Sequence, residues 1–550
     1  MPKGSPPSRH VAVDGNVSGG DECGQAEVIA FLADPSSYSG VDRVDRFETH
    51  GNLVFLAGVE AWKIKRAVRF PYMDFSTLDK RHAACAREVE INRQFGSALY
   101  LGCVPIVRSS TGTLVFGSDG AIVEWAVHMR RFDQSALLSN MARETGIPND
   151  LARLLADVAY EAHQGAERAS QSAGATSMRE LAKRIAGALS QSGVFGAGAT
   201  SLGNHLAHHL DKCAAVLNER AAMGCVRRCH GDLHLANVVM WNGRPALYDA
   251  IEFDETIATI DTLYDLAFLL MDLDRYNQRP AANILLNRYL WRSQNPLDLR
   301  GLVALPLFLA LRAAVRAMVT TDRARQESRE ARETDLEKAC HYLRAALDFL
   351  GVLPPQLVAM GGFSGTGKTT LAASLAPRLG RAPGAIHLRT DLERKRLAGV
   401  GEFDRLPESA YSREARNRIY DVLHEKARSV LVTGHSVIVD AVFAEQDARQ
   451  AIQALARDVG APFHGIWLHA DPEKLLERVA ARRNDASDVT PEVLRGQLQS
   501  DPGPFSAEWT AIDAGVTLAE TLGSARAAIG VANENFESPT EGRFATSSIS

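Results

Sequence analysis

Two groups of residues in this chain have the types and spacing that handle phosphate. The stretch Gly362 to Thr370 reads GFSGTGKTT and follows directly on the apolar run LVAMG at 357–361. In such a glycine-rich turn the backbone N–H groups, together with the amino end of the helix that follows, hold phosphate anions. Lys368 reaches the terminal phosphates and Thr369 contacts magnesium. The nucleotide-binding set on this reading is Gly362, Ser364, Gly365, Thr366, Gly367, Lys368, Thr369 and Thr370. The other group is CHGDLHLANVVM at 229–240, followed by ALYD at 246–249. Phosphoryl transfer needs metal ions to neutralise the phosphates, a cation on the nucleotide, and a carboxylate that orients or deprotonates the acceptor hydroxyl. Asp232 supplies that carboxylate, Asn237 a metal ligand on the same loop, and Asp249 a second metal ligand at the end of a strand.

Further charged residues fall where each machine needs them. WKIK at 62–65 puts Lys63 and Lys65 on one face of a strand, because side chains alternate with period two. Apolar residues one and three places before the lysine favour Lys65 as the nucleotide lysine without excluding Lys63. Glu88, on the helix that follows, is the natural ion-pair partner of either. After the glycine-rich loop, Asp440 closes the apolar strand SVIVD and is the acid expected to support magnesium from its second coordination sphere. Asp391, in LRTDLERKR, faces the terminal phosphate across the crevice, with Arg394 one helical turn on. ADPEKLLERVAARRNDASDV at 470–489 places Arg478, Arg482 and Arg483 on a helix whose arginines can close over phosphates and stabilise the transition state. A charge run of this kind is as often a solvated helix face.

The elements that must position these groups are legible in outline. Segments such as NLVFLAG and AWKIKRAV, then TLVFG and AIVEWAVHM, read as antiparallel strands, with LDKRHAACAREVEINRQFG at 78–96 as a packed helix. Residues 151–211 and 262–350 carry helical spacing around the 229–240 loop. GVLPPQ at 351–356, with two prolines, is the boundary. Beyond it LVAMGG, GAIHLRTD, SVIVDAVF and GIWLHAD alternate with helices, as in a doubly wound parallel sheet with its ligand at the carboxyl edge. Residues 1–23 and 533–550, rich in Gly, Ser and Pro without apolar periodicity, read as disordered tails.

Composition bounds the partners. A formal charge of −5 over 550 residues gives no general attraction to nucleic acid or anionic membrane, so a small molecule is the expected partner. Seven scattered cysteines and an opening without an apolar signal region point to a reduced, cytoplasmic protein. The longest apolar run, 302–319, is interrupted by Pro306, Arg312 and Arg316, which suits a buried helix with a polar stripe and not a membrane span. Cys225, Cys229, His230 and His234 crowd together without a second ligand pair, which argues against zinc. His205 and His209 read as a solvated helix face, Asp272 and Asp274 as exposed acids, and Arg312 and Arg316 as structural partners of acids.

Residues 45–345 resemble the aminoglycoside phosphotransferase and choline kinase group, most specifically in HGDLHLAN at 230–237 and in further blocks such as WKIK, REVEINR and YDLAFLLMDLD. The resemblance implies Asp232 as catalytic base, Asn237 and Asp249 as metal-binding, and Asp265 as a brace of the catalytic loop. THGNL at 49–53 departs from the expected GxGxxG, which leaves the phosphate contacts there open. The second half resembles the small-molecule P-loop kinases, a group that includes gluconate kinase, polynucleotide kinase and the zeta-toxin type proteins. In that group the acid equivalent to Asp391 orients the acceptor hydroxyl. Together the halves resemble bacterial tandem proteins described as bifunctional aminoglycoside phosphotransferase/ATP-binding protein.

The expected fold class is therefore an α+β two-lobed protein-kinase-like domain followed by an α/β P-loop NTPase domain with a parallel sheet. The first spans 24–350, with a small lobe to about 133 and a large lobe from 134, and the second spans 357–532. The expected activity is transfer of phosphate from ATP (or GTP), with Mg2+, to hydroxyls of small molecules. Two other readings stay open: the P-loop domain as an ATPase switch that regulates the first domain, or as a nucleotide or nucleic-acid end kinase drawing on Arg389, Arg394, Lys395 and Arg396. Acceptor identity and oligomeric state are not encoded in these motifs.

Overall fold

The computed structural model describes residues 22–530, apart from 50, 71–72, 97, 171–173, 326–327 and 482–485. The expected tails lie outside these residues except for Glu22 and Cys23, which open a helix, Glu22–Ala33. The chain forms two compact units that meet between Val352 and Leu353, within the proline-containing stretch.

The first unit begins with a six-stranded antiparallel sheet in the order Val44–Glu48, Asn52–Ala57, Glu60–Lys65, Ala121–Arg130, Tyr100–Arg108, Leu114–Phe116. Both faces of this sheet are covered, so the Glu60–Lys65 strand is buried almost throughout. On one face Trp62 and Ile64 join Phe55 and Ala126 against Val28 and Leu32 of the first helix. On the other, Ala61, Val127 and Met129 pack against Cys85 and Val89 of the Leu78–Gly96 helix. Lys63 and Lys65 share this second face by alternation.

Two elements here were not expected from sequence. The Glu22–Ala33 helix docks through Gln25, whose side chain bonds Lys65 O at 2.8 Å, Ala67 N–H at 2.8 Å and the buried Glu124 carboxylate at 2.6 Å. Strand Tyr100–Arg108 contains Pro105, which argues against a strand when only local sequence is read. It is accommodated because pairing with Leu114–Phe116 is confined to Ile106–Arg108, so the proline lies just outside the stretch paired on both sides.

The rest of the first unit is helical, including Asn149–Gly165, Ala175–Gln191, Ala197–Ala222, Thr262–Arg275, Leu305–Ala324 and Arg329–Phe349. Among the described residues one stretch, Pro296–Ala324, is long and apolar enough to cross a membrane, but its apolar window is 72% buried inside the protein. Two expectations need correction. His209 is buried, not on a solvated face, and bonds Leu350 O at 3.1 Å. Asp272 is also buried and accepts the Leu235 N–H at 3.0 Å, because the Thr262–Arg275 helix runs beneath the 229–240 loop.

The second unit is a five-stranded parallel sheet in the order Ile386–Arg389, Val437–Asp440, Leu357–Gly362, Phe463–His469, Trp509–Asp513. The first four are the expected strands; Trp509–Asp513 adds a fifth at the edge. The central Leu357–Gly362 strand is fully buried, as a strand covered by helices on both faces must be. Its carboxyl end opens into the turn that precedes the Lys368–Leu375 helix.

Candidate active sites

In the first unit the lysine strand, the Leu78–Gly96 helix and the loop after Arg244–Leu247 converge. Lys63 Nζ lies 2.9 Å from Glu88 Oε1 and 2.7 Å from Asp249 Oδ1. Lys65 Nζ lies 2.6 Å from Glu88 Oε2 and also contacts Glu252. The two lysines differ in access: the Lys65 side chain is fully buried, whereas Lys63 keeps 10% exposure and touches the acid assigned to metal. The structure thus brings Lys63, and not the lysine favoured by spacing, to Asp249. Burial disfavours both ammonium groups, but the surrounding carboxylates outweigh it and raise both lysines above their ordinary range.

Asp249 adopts a left-handed backbone with φ of 59°, uncommon for a residue with a side chain. It is held there from several directions. Its N–H donates to Tyr100 Oη at 3.0 Å, and the neighbouring Ala250 N–H donates to Asn92 Oδ1 at 2.8 Å. On the facing loop, Asn237 Nδ2 donates to Asp232 Oδ2 at 3.1 Å and to Asp232 O at 3.0 Å. Burial pushes the Asp232 carboxyl up, but His234, Arg316 and His230 outweigh it and hold the group well below the usual carboxylate range. Asp232 and Asp249 lie close enough for each to feel the other's charge. Asp249 beside Lys63, with Asp232 and the Asn237 amide on the facing loop, offers oxygen donors of the kind a hard divalent cation takes.

Asp265 braces this loop, the role the resemblance implied. Its carboxylate accepts the N–H groups of His230 at 3.2 Å and Gly231 at 3.0 Å, and faces His163 Nε2 at 3.1 Å. Arg312 closes the network: Nη1 bonds Gly231 O at 3.0 Å and Nη2 lies 3.5 Å from Asp265. Gly231 itself has φ of +85°, and a Cβ there would meet Ile251 at 3.1 Å and Ala258 at 3.3 Å. Asp265→Ala would leave the buried Arg312 guanidinium without its carboxylate. The expected loss is about 3–5 kcal/mol of stability, seen as a lowered midpoint in denaturant unfolding of this unit. His163, Cys229 and Asp265 also lie within metal-ligand reach of one another. His163 and Asp265 are already committed to the brace, and the Cys229 thiol lies 3.5 Å from Ile260 O. The Cys225, Cys229, His230 and His234 set does not form a cluster among the described residues.

In the second unit the glycine-rich turn sits at the carboxyl edge of the sheet. Gly362 has φ of +136°, and a Cβ there would lie 2.5 Å from Leu468 O on the adjacent strand. Ser364 donates its N–H to Gln497 Oε1 at 3.0 Å, and Thr366 Oγ1 donates to Phe363 O at 2.8 Å. Gly365 and Gly367 complete the turn, and Lys368 Nζ reaches back to Phe363 O at 3.0 Å. Thr369 Oγ1 donates to Asp440 Oδ2 at 2.6 Å, whereas Thr370, one residue on, is exposed. Burial pushes the Asp440 carboxyl up, but His387, Lys368 and Arg389 outweigh it and hold it at about 2. A hydroxyl and an ionised carboxylate beside the turn lysine fit a magnesium-nucleotide site.

Asp391 lies in the first turn of the Thr390–Leu397 helix, just past the strand end. Burial pushes its carboxyl above the ordinary value, with Asp440 adding to the rise and Arg389, Arg394 and Lys368 opposing it. Arg478, on the Pro472–Ala480 helix, has Nη1 3.5 Å from Gly365 O. Arg482 and Arg483 lie outside the described residues. Spacing did not single out Glu252, Asn92, His163 or Gln497. Each acts across a long sequence separation, for which a single sequence carries no local signal.

Comparison with known proteins adds a family match. An AAA domain model matches residues 357–502. An uncharacterized protein of Mycobacterium tuberculosis is 30% identical over 480 residues, covering 82% of this chain and 88% of its own length. A Mycobacterium bovis protein matches over the same extent. Among solved structures, a gluconokinase from Sinorhizobium meliloti 1021 is 22% identical, covering 33% of this chain and 97% of its own, with a TM-score of 0.24. The GDP complex of aminoglycoside 2'-phosphotransferase-IIIa is 15% identical, covering 58% and 99%, with a TM-score of 0.36. A choline/ethanolamine kinase family protein from Mesorhizobium loti is 14% identical, covering 60% and 99%, with a TM-score of 0.34.

Proposed function

The chain belongs to the same family as these uncharacterized mycobacterial proteins, and we propose that it is a phosphotransferase with two nucleotide-using domains, each moving the terminal phosphate of ATP to a small-molecule hydroxyl. The observation that carries this reading is that each unit places a lysine, a magnesium-suited oxygen set and a further carboxylate in one site. Asn237 and Asp249 in one unit, and Thr369 and Asp440 in the other, would hold magnesium, which when bound would neutralise the phosphate charge.

The chain's own residues do the rest. In the first unit Lys63, aligned by Glu88, binds the nucleotide phosphates, and Asp232 orients the acceptor hydroxyl and takes its proton. In the second, the turn N–H groups and Lys368 hold the phosphates, and Asp391 takes the proton. In both, the hydroxyl oxygen forms a bond to the terminal phosphorus as the bond from that phosphorus to the bridging oxygen breaks. ADP leaves with the bonding electron pair. Arg478 is placed beside the turn to stabilise charge that develops in the transition state.

A regulatory ATPase role for the second unit would need no acceptor base. Asp391, just past the strand end at the carboxyl edge of the sheet and within electrostatic reach of Lys368 and Asp440, favours a kinase over such a switch, since it stands where an acceptor base is needed. Titration of the full chain with a nonhydrolysable ATP analogue and magnesium tests the core of the reading. Two equivalents are expected, and a single equivalent would remove it. The pH profiles should also separate. Asp391 is active once deprotonated and its carboxyl is raised, whereas the Asp232 carboxyl is depressed. Lowering pH is therefore expected to silence Lys368-dependent transfer before Asp232-dependent transfer, as rate measurements on the Lys368→Ala and Asp232→Asn variants would show.

A further inference from the structure

Four cations cluster in sequence around Asp391, and the structure divides them. Lys395 is buried, with Nζ 2.8 Å from both Asp488 carboxylate oxygens. Arg396 Nε is bonded to Glu393 Oε2 at 2.6 Å, and Lys426 pairs with the same carboxylate. The pairs with Asp488 and Lys426 tie the Thr390–Leu397 helix to its neighbours, and the Arg396–Glu393 pair lies within the helix. Arg389 and Arg394 differ: the Nε of each is buried and has no hydrogen-bond partner. Both act electrostatically on Asp391, and Arg394 Nη1 comes no closer to it than 3.6 Å.

Their placement is not casual. Arg389 ends a strand at the carboxyl edge of the sheet, beside Asp440 and Asp391. Arg394 lies over the Tyr411 ring at 4.6 Å, and Tyr411 is anchored in turn by a 2.9 Å bond from its hydroxyl to Asp488. The ring contact restrains the Arg394 guanidinium, a group whose planar fork of N–H donors matches a carboxylate or phosphate. A buried N–H without a partner is costly, and a native site that keeps two of them calls for a group to satisfy them. Three cations, Arg389, Arg394 and Lys368, act on two carboxylates, Asp391 and Asp440, which leaves positive charge in surplus where the acceptor must sit.

We propose that the acceptor of the second domain is a small hydroxyl compound carrying its own anionic group, a carboxylate or a phosphate, which Arg389 and Arg394 bind while Asp391 faces the hydroxyl. This rests on the kinase reading of that site. With Lys395 and Arg396 neutralised internally, Arg389 and Arg394 are the two members of this sequence cluster left to face an acceptor, which favours a small anion over a polyanionic strand.

The test is calorimetric titration of the full chain, saturated with magnesium and a nonhydrolysable ATP analogue. Matched pairs serve as probes: D-gluconate against D-glucitol, D-glycerate against glycerol, and glycerol 3-phosphate against glycerol. At least one charged member is expected to bind about 10-fold or more tightly than its neutral counterpart. The glycerate and glycerol 3-phosphate arms separate carboxylate from phosphate. Arg389→Ala and Arg394→Ala should each lower that preference about 10-fold, and Arg394→Ala should leave affinity for the ATP analogue within about twofold. Arg394→Lys should restore it only in part, because a lysine cannot present the bidentate edge. Equal binding of charged and neutral members, absence of binding by both included, would overturn the proposal. So would a loss that falls on the ATP analogue instead, or tight salt-dependent binding of an oligonucleotide through these arginines. Anion preference without any Lys368-dependent phosphoryl transfer would support the anion pocket and overturn the kinase reading.

Discussion

Asp232→Asn is expected to lower phosphoryl transfer by the first domain about 10²- to 10⁴-fold, the range that a positioned general base contributes. The amide keeps the size of the carboxylate and can still meet Asn237, which lies 3.1 Å from it, so the fold of the loop should persist. What is lost is the negative charge that orients the hydroxyl and the lone pair that takes its proton. The carboxyl is held well below its ordinary range by His234, Arg316 and His230 in spite of burial, so the group is ionised across the whole physiological span. No change of pH should rescue the variant. The measurement is transfer from γ-labelled ATP to sugars, amino alcohols and aminoglycosides, alongside thermal unfolding of the same preparation. An unchanged rate with an unchanged melting profile would remove Asp232 from the chemistry.

Lys368→Ala is expected to lower Lys368-dependent turnover about 10²- to 10³-fold, comparable to removing one preorganised donor to developing negative charge. Lys368 Nζ lies over the glycine-rich turn, 3.0 Å from Phe363 O. The alanine variant removes the cation that such a turn presents to the phosphates, so it should lose nucleotide affinity as well as rate. Stoichiometry makes the effect specific: the variant should bind one equivalent of the ATP analogue where the parent binds two, and Asp232-dependent transfer should be preserved. If the variant loses only basal ATP hydrolysis and no acceptor is ever modified through this domain, the switch reading replaces the kinase reading.

Much of the architecture was open to inspection in the linear chain because the decisive signals are local. The glycine-rich turn, its lysine and its threonine lie within nine residues of one strand-to-helix junction, so their mutual placement follows from backbone geometry alone. Period-two alternation likewise put Lys63 and Lys65 on one face, and the two prolines at 354 and 355 marked where one unit ends and the other begins.

What spacing left undecided was settled by contacts that join distant segments. Both lysines satisfy the same pattern. Only the packed sheet and helix bury Lys65 against Glu252 and leave Lys63 to meet Asp249, 186 residues away. Asp272 looks like an exposed acid in sequence and becomes a support for the catalytic loop because a buried helix passes beneath Leu235. The four cations near Asp391 are equivalent in sequence, and the fold divides them into two internally paired and two facing the carboxylate. Local residue order thus determined which chemistry the chain can attempt. Tertiary packing alone decided which of several like charges take part in it, because a charge's role is set by its burial and its partners, and both belong to the folded chain.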